Sequence, residues 1–512
     1  MKLQMIKNMK LNYILTMIMA AGMAAGCTET SKVAPEEYKA PLFLQSSDTK
    51  IVFDREGGKA LVTMATNAES WSWAAKSGDW FAVSVDTDSC LVVEAQANNG
   101  PVRTDEIIIT AAKGDESKEV SLKVTQRTDD ATNLSAAGTA NCYIARTNGS
   151  YKFRADIKGN GGNDGKTEYI KTEGLEIKGA VYSDLLWEAR NDGDRSMSYE
   201  IIDGTPSYYG GYISFSTGRS EGNALIAIRD AKGKILWSWH IWVTDKEVTT
   251  HDHIGPEGSV LAQIMDRNLG AMNNIPMDIG NRGMFYQMGR KDPFIPSRSP
   301  YLHSEILNDP ACNLANYETG DGSGKWEFGT EYTSQPINSE PGNIPFASAH
   351  PMRFLLSYDS SDYQWYMGSG NKEATNPGLW GEEKTIFDPC PPGYKVPGKN
   401  MWGAASESGK ATITGGGSEE YDGKGENPKY LWNVQKDCGR IWKATGDFYP
   451  AAGLMGAETA PYNYASEQAF YLTSQEDAKE HAMVFVAEFS DKSASYDTRA
   501  QVYAGQVRCV KE

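Results

Sequence analysis

The residues able to do chemistry are few, and most stand beside glycine or proline. His251-Asp252-His253 puts two imidazoles one residue apart in the polar connection from Thr244 to Ser259. Such a pair ligates zinc when other ligands converge on it; a plain polar connection is expected here, and no metal. Arg267 with Asn268, and Arg290 with Asp292, are polar side chains close to glycines, a pattern that active sites also use. Tyr363-Gln364-Trp365-Tyr366 sets aromatic faces beside an amide, a combination suited to sugar rings. It lies in a stretch from about Pro296 to Thr385 rich in Gly, Asn, Ser and aromatics, which also holds Trp326 and Trp380. Loops of that composition carry function on rigid scaffolds. Tyr363, Trp365, Tyr366 and Trp380 are therefore the candidate ligand-binding residues. Asn160, Asn163 and Asp164 stand among glycines without the regular alternation of oxygen ligands of an EF-hand loop, so a solvated turn is expected.

The N-terminal residues carry chemistry of a different kind. Residues 1–26 hold Lys2, Lys7 and Lys10, no acidic residue, and an apolar run from Ile14 to Ala25, which is the charge and length pattern of a signal peptide. The run is too short for a membrane-crossing helix, which needs about 20 apolar residues. It ends in Met23-Ala24-Ala25-Gly26-Cys27, which resembles the lipobox cleaved and acylated by the bacterial lipoprotein pathway. The resemblance implies that Cys27 becomes a lipidated N-terminus and that the protein is an outer-membrane lipoprotein of the cell envelope. Residues 27–39, with Glu29, Glu36 and Glu37, read as a flexible tether.

The chain has 512 residues and a formal net charge of −17, more negative still without the leader's lysines. Such acidity argues against nucleic acid as a partner. At about 100–200 residues per domain the length implies three or so modules. Apart from Cys27 the cysteines are Cys90, Cys142, Cys312, Cys390, Cys438 and Cys509. In an oxidising compartment that even number allows disulfides without demanding any.

The elements that must position these residues are strands. From 40 to 128 the text is short alternating segments: Lys50 to Phe53, Ala60 to Met64, Phe81 to Val85, Leu91 to Val93, Ile107 to Ile109 and Val120 to Val124. Period-two patterning broken by Gly and Asn predicts a β-sandwich. With Trp71-Ser72-Trp73 and Trp80, the turn Asn98-Asn99-Gly100 followed by Arg103, and the closing Val124-Thr125-Gln126, this stretch resembles the BACON domain, a small immunoglobulin-like module. Indoles at strand positions usually fill a core, and that is the reading taken for Trp71, Trp73 and Trp80. A second sandwich is expected over 131–247. It closes with Ala224 to Ile228 and Ile235 to Val243 around the turn Asp230 to Lys234. Trp237, Trp239, Ile241 and Val243 should share one face, and Leu236, Ser238, His240 and Trp242 the other. These phrases resemble the immunoglobulin-like segment of fimbrillin-like lipoproteins.

Residues 260–512 carry an ordered set of phrases: Met265 to Gly270, Gly283 to Phe294, Phe387 to Pro397 with Cys390-Pro391-Pro392-Gly393, Tyr471 to Ser474, and Gly505 to Val510. Together they resemble the Fibrobacter succinogenes major paralogous domain, which implies an α+β, C-type-lectin-like fold. The resemblance also implies a disulfide between Cys390 and Cys509, and fold-stabilising roles for the Arg267 and Arg290 phrases. A calcium-dependent sugar site of the C-type lectin kind is not expected, because Gln335-Pro336 runs into Ile337, Glu340-Pro341 into Gly342 and Trp432-Asn433 into Val434, where oxygen donors are needed.

The expected protein is thus multidomain, with two all-β immunoglobulin-like sandwiches followed by an α+β C-type-lectin-like domain. Its expected function is binding or adhesion through residues 260–512 to a glycan, a host protein or fimbrial subunits, with no catalytic residue and no cofactor. The alternatives are a glycan-processing enzyme or accessory subunit of a polysaccharide-utilisation system, and a structural fimbrial component.

Overall fold

The computed structural model describes residues 40–161 except 88 and 129, 175–190, 201–294 except 256, 257, 276 and 277, 343–355, 365, 379–399, 401, 445–455 and 501–512, with short strands between 317 and 499. Cys27, Tyr363, Tyr366, Cys312 and Cys438 lie outside these residues. The fold is almost all β, in several sheets. Among the described residues the one α-helix is Asn343–Ala349, and no helix is long and apolar enough to cross a membrane.

Each alternating segment of the first module becomes a strand. Lys50–Phe53, Glu116–Gln126, Arg103–Lys113 and Ser70–Ala75 form one sheet in that order. Gly58–Thr66, Cys90–Ala95 and Phe81–Thr87 pair in the facing one. The inward side chains, among them Ile51, Val62, Leu91, Ile107 and Val124, make a core of their own. Trp71 and Trp80 pack against it half-buried, whereas Trp73, on the edge strand, is 37% exposed. The signature residues meet one another. Arg103 donates to Gln126 Oε1 at 3.0 and 2.7 Å and lies 4.6 Å over the Trp80 ring. Gln126 in turn donates to the carbonyls of Asp54 (3.1 Å) and Gln96 (2.9 Å), so one guanidinium ties both sheets to the closing strand.

The second module has two layers. Cys142–Ala145, Ile235–Val243, Gly222–Asp230 and Ala180–Ala189 form one; Ser150–Arg154, Tyr212–Ser216 and Ser207–Tyr209 form the other. The hairpin expected at Asp230 to Lys234 is present, with Asp230 Oδ1 accepting from the backbone of Lys232 and Lys234 at 2.9 Å each. Single bridges from Ala60 to Ser183 and from Lys59 to Tyr208 run the first module's sheet into both layers.

Alternation along Ile235–Val243 ordinarily marks a strand with one wet face. Here residues 237–243 are buried on both faces. Trp239 packs on Phe153, with ring centroids 5.2 Å apart. On the opposite face Ser238 donates to Asp292 (2.6 Å), His240 meets the Tyr286 hydroxyl (3.0 Å) and Trp242 donates to the Ala271 carbonyl (3.1 Å). Residues after 260 thus cover the face left open by the sandwich, and a single apolar core runs from Cys142 to Cys509.

The segment Lys384 to Asp388 docks in the same way. Asn141 donates to the carbonyls of Ile386 (2.7 Å) and Asp388 (2.9 Å), and Asn160 to that of Lys384 (3.1 Å). Gly159 has φ 48°, and a Cβ there would stand 2.1 Å from the Ile386 carbonyl oxygen. The turn expected to be solvated is instead pressed into this junction: Lys158 and Asn160 are both buried. Asn163 and Asp164 lie outside the described residues.

The C-terminal segment is built on Thr250–Ile254, Val260–Met265, Val510–Lys511 and Tyr394–Lys395 in one sheet. A second runs from Ala494–Arg499 through Ala482–Glu488 and Gln468–Glu476 to Ala504–Gln506. The sulfurs of Cys390 and Cys509 are bonded, at a sequence separation of 119. This bond ties the Cys-Pro-Pro-Gly phrase to the last strand.

Candidate functional site

Of the aromatic residues singled out for ligand binding, the two that are described, Trp365 and Trp380, are not brought to a surface. Trp365 is 2% exposed and donates its indole N–H to the Met288 carbonyl at 2.8 Å. Trp380 is 1% exposed and donates to the Phe387 carbonyl at 3.0 Å. Both belong to the continuous core, which corrects the expectation of an exposed platform at these two positions. An apolar indole with one satisfied N–H is more stable inside than in water.

The polar phrases of the C-terminal segment converge, but on one another. Arg267, buried, pairs with its neighbour Asp266 through Nε and Nη2, each at 2.9 Å, and reaches the Glu247 carbonyl at 2.8 Å. Asn268 donates to the Arg282 carbonyl and the Tyr471 hydroxyl, both at 3.0 Å, and accepts from Arg508 Nε at 3.0 Å. Arg290 donates to the carbonyls of Arg353 (2.6 Å) and Pro351 (3.2 Å). Asp388 receives the backbone N–H groups of Cys390 (2.8 Å) and Val396 (2.9 Å), and Lys384 donates to the carbonyls of Cys390, Pro391 and Tyr394. These groups neutralise loop backbone that would otherwise be buried unpaired.

His251 and His253 meet a carboxylate that nothing in the sequence marked. Asp447 Oδ2 is 2.8 Å from His251 Nε2 and 4.0 Å from His253 Nδ1, and accepts from the Thr445 hydroxyl at 2.5 Å. Burial pushes the Asp447 carboxyl up, but the His251 hydrogen bond, the Arg508 charge and the Thr445 hydroxyl together bring it below its ordinary value. The same hydrogen bond raises His251, whereas burial pushes His253 down to about 4. Among the described residues no group of three or more His, Cys, Asp or Glu side chains is placed to hold a metal ion. The cluster ties the strand Thr250–Ile254 to Asp447–Pro450.

His240 is the other buried imidazole, held by Asn223 Oδ1 at 2.8 Å and the Tyr286 hydroxyl at 3.0 Å. Asn223 Nδ2 is committed to the Gly270 carbonyl, so the His240 Nε2 carries the proton and Nδ1 accepts; burial pushes this ring down to about 3. His240 and His253 are folded as neutral rings. Their stabilising share is complete above about pH 6.5 and is lost as the pH falls toward about 4 and about 3, because the unfolded chain takes up protons there first. His251 runs the other way, its share being complete below its ordinary pKa and lost as the pH rises through the raised value. Urea unfolding between pH 7 and 4.5 should therefore show stability dropping by up to about 1.4 kcal/mol per pH unit for each neutral histidine. A flat profile over that interval would mean the two rings are not held neutral.

A concave site does exist among the described residues. A cleft of about 470 Å³ opens where the second module's edge meets the connection 244–248. Leu134, Ile144, Tyr151 and Val248 line it with Arg146, Lys246 and Glu247. That volume is within the range of small-molecule sites. Arg146 is tied to the Asp245 carbonyl at 2.8 Å and Tyr151 Oη to the Arg146 carbonyl at 3.2 Å.

No family model matches the chain, and no curated protein matches it. Among solved structures, it is similar over 20% of its length to 21% of a Bacteroides ovatus GH5 xyloglucanase, at 14% identity and TM-score 0.16. A protein from Bacteroides thetaiotaomicron matches over 20% of this chain and 99% of its own, at 18% identity and TM-score 0.14. The N-terminal Ig1-2 module of the Drosophila receptor protein tyrosine phosphatase DLAR matches over 40% and 99%, at 13% identity and TM-score 0.16. At these scores the likenesses carry no argument about what the chain does.

Proposed function

We propose that this is an exported, non-catalytic lipoprotein, acylated at Cys27 and held at the outer membrane. In this reading two immunoglobulin-like sandwiches carry a C-type-lectin-like head, residues 260–512, that binds a glycan, a host protein or a fimbrial partner. The supporting observation is the fate of the chemically capable side chains in the head. Arg267, Arg290, Lys291, Asp292 and Asp388 are buried in hydrogen bonds that hold loops and strands, and Cys390 and Cys509 are joined to each other. Groups so committed brace a scaffold rather than turn over a substrate. A disulfide at this position also suits an oxidising compartment.

Arrays of glycans and host proteins probed with residues 28–512 test the reading. Removing 260–512 is a poor control, since it would bare the face formed by Ser238, His240 and Trp242. Tyr363→Ala with Tyr366→Ala is the better one, and it should weaken binding about tenfold, the worth of about 1.4 kcal/mol. Absence of binding to any probe, or undiminished binding by the double variant, would count against a recognition site in this head.

A further inference from the structure

The second module presents a partly exposed aromatic row outside residues 260–512. The hairpin Ser207–Tyr209 and Tyr212–Ser216 turns through Gly210 (φ 59°) and Gly211 (φ 85°), the two-residue type I′ loop that only residues tolerant of positive φ enter readily. Its register sets Tyr209 directly opposite Tyr212, and the next strand sets Arg154 opposite Tyr212. Directly paired residues share a face, so Tyr209, Tyr212 and Arg154 form one row across three strands. The opposite face, with Ile213 and Phe153, is the core.

The rest of this outer face is covered by the first module. The neighbouring row, Ser207 and Ser214, is buried, and Lys152 beside it is bonded to Glu56 at 2.5 Å. A Cβ on Gly58 would stand 3.3 Å from that of Tyr209, so the base of Tyr209 is braced while its side is 55% exposed. Charges on the shelf are already matched. Arg154 holds Asp156 through two hydrogen bonds of 2.9 and 3.0 Å, and Lys152, with its Glu56 partner, lies 5.6 Å over the Tyr212 ring.

We propose that this shelf binds a neutral oligosaccharide. A pyranose offers apolar C–H faces and a rim of hydroxyls. The tyrosine rings supply amphipathic faces at small entropic cost, and the Arg154–Asp156 and Lys152–Glu56 pairs supply fixed donors and acceptors for hydroxyls. Matched charge gives no net attraction for an anion, and the aromatic area is too small for an extended apolar partner.

Titration calorimetry with cellohexaose, xylohexaose, mannohexaose, laminarihexaose and maltohexaose tests it on the full chain. At least one should bind. Tyr209→Ala and Tyr212→Ala should each weaken that binding about tenfold, while Tyr209→Phe, which keeps the ring, should retain it. Trp73→Ala, on the first module, should leave it unchanged. The proposal is overturned if no neutral oligosaccharide binds, if the two alanine variants bind as the parent does, if Trp73→Ala costs as much, or if only polygalacturonate binds. Tyr363→Ala with Tyr366→Ala separates this site from the head, because that variant should leave the shelf intact.

Discussion

Replacing Lys291 with Met is expected to lower the unfolding free energy by about 3–5 kcal/mol, the cost of stranding one member of a buried ion pair. The Lys291 ammonium lies 2.6 Å from Asp292 Oδ1 and 2.6 Å from Ser238 Oγ, and 4.5 Å over the Trp237 ring. Burial pushes it down to about 8 against the pull of Asp292. Without it the carboxylate keeps the Ser238 hydroxyl but loses its counter-charge while buried, the two side chains being 2% and 3% exposed. Because Ser238 lies on the strand Ile235–Val243, the loss falls on the contact between that strand and the residues after 260. Urea unfolding followed by tryptophan fluorescence measures it. The triple change Lys291→Met, Asp292→Leu and Ser238→Ala removes every partner at once and should regain most of the loss, since an apolar replacement of a buried pair is often neutral or better. A single variant as stable as the parent would mean that water reaches the pair.

Loss of the Cys390–Cys509 bond is the second large effect. It closes a loop at a separation of 119 residues, which restricts the unfolded chain by about 5 kcal/mol in the chain-entropy account. Cys390→Ala with Cys509→Ala should therefore melt far earlier than the parent. The damage should centre on the sheet where Tyr394–Lys395 and Val510–Lys511 pair. Cys90→Ser, a free thiol at a half-buried position, should change little. An unaltered midpoint in the double variant would show that the hydrogen bonds accepted by Asp388 and donated by Lys384 hold this corner unaided.

Much of the strand content was legible because a period of two is a local property. Val62, Leu91, Ile107 and Val124 point inward where alternation placed them, and the turn at Asp230 to Lys234 follows from Asp and Gly chemistry alone. The candidate site was less legible. Trp365 and Trp380 have the composition of a sugar platform, yet an aromatic residue in a Gly- and Asn-rich loop reads the same whether it faces solvent or plugs a gap. Asp447 gave no signal toward His251, being 196 residues away with no motif between them.

The hydrophobic face of Ile235–Val243 and the polar residues between its tryptophans were readable one strand at a time; what they would meet was not. Ser238 and His240 share one face of that strand, and that face is interior because Asp292 and Tyr286, far along the chain, supply hydrogen bonds that water would otherwise make. Local pattern governs which side of a strand is apolar. Whether the other side is dry depends on distant groups that can satisfy its donors and acceptors, and that information exists only once the chain has closed on itself.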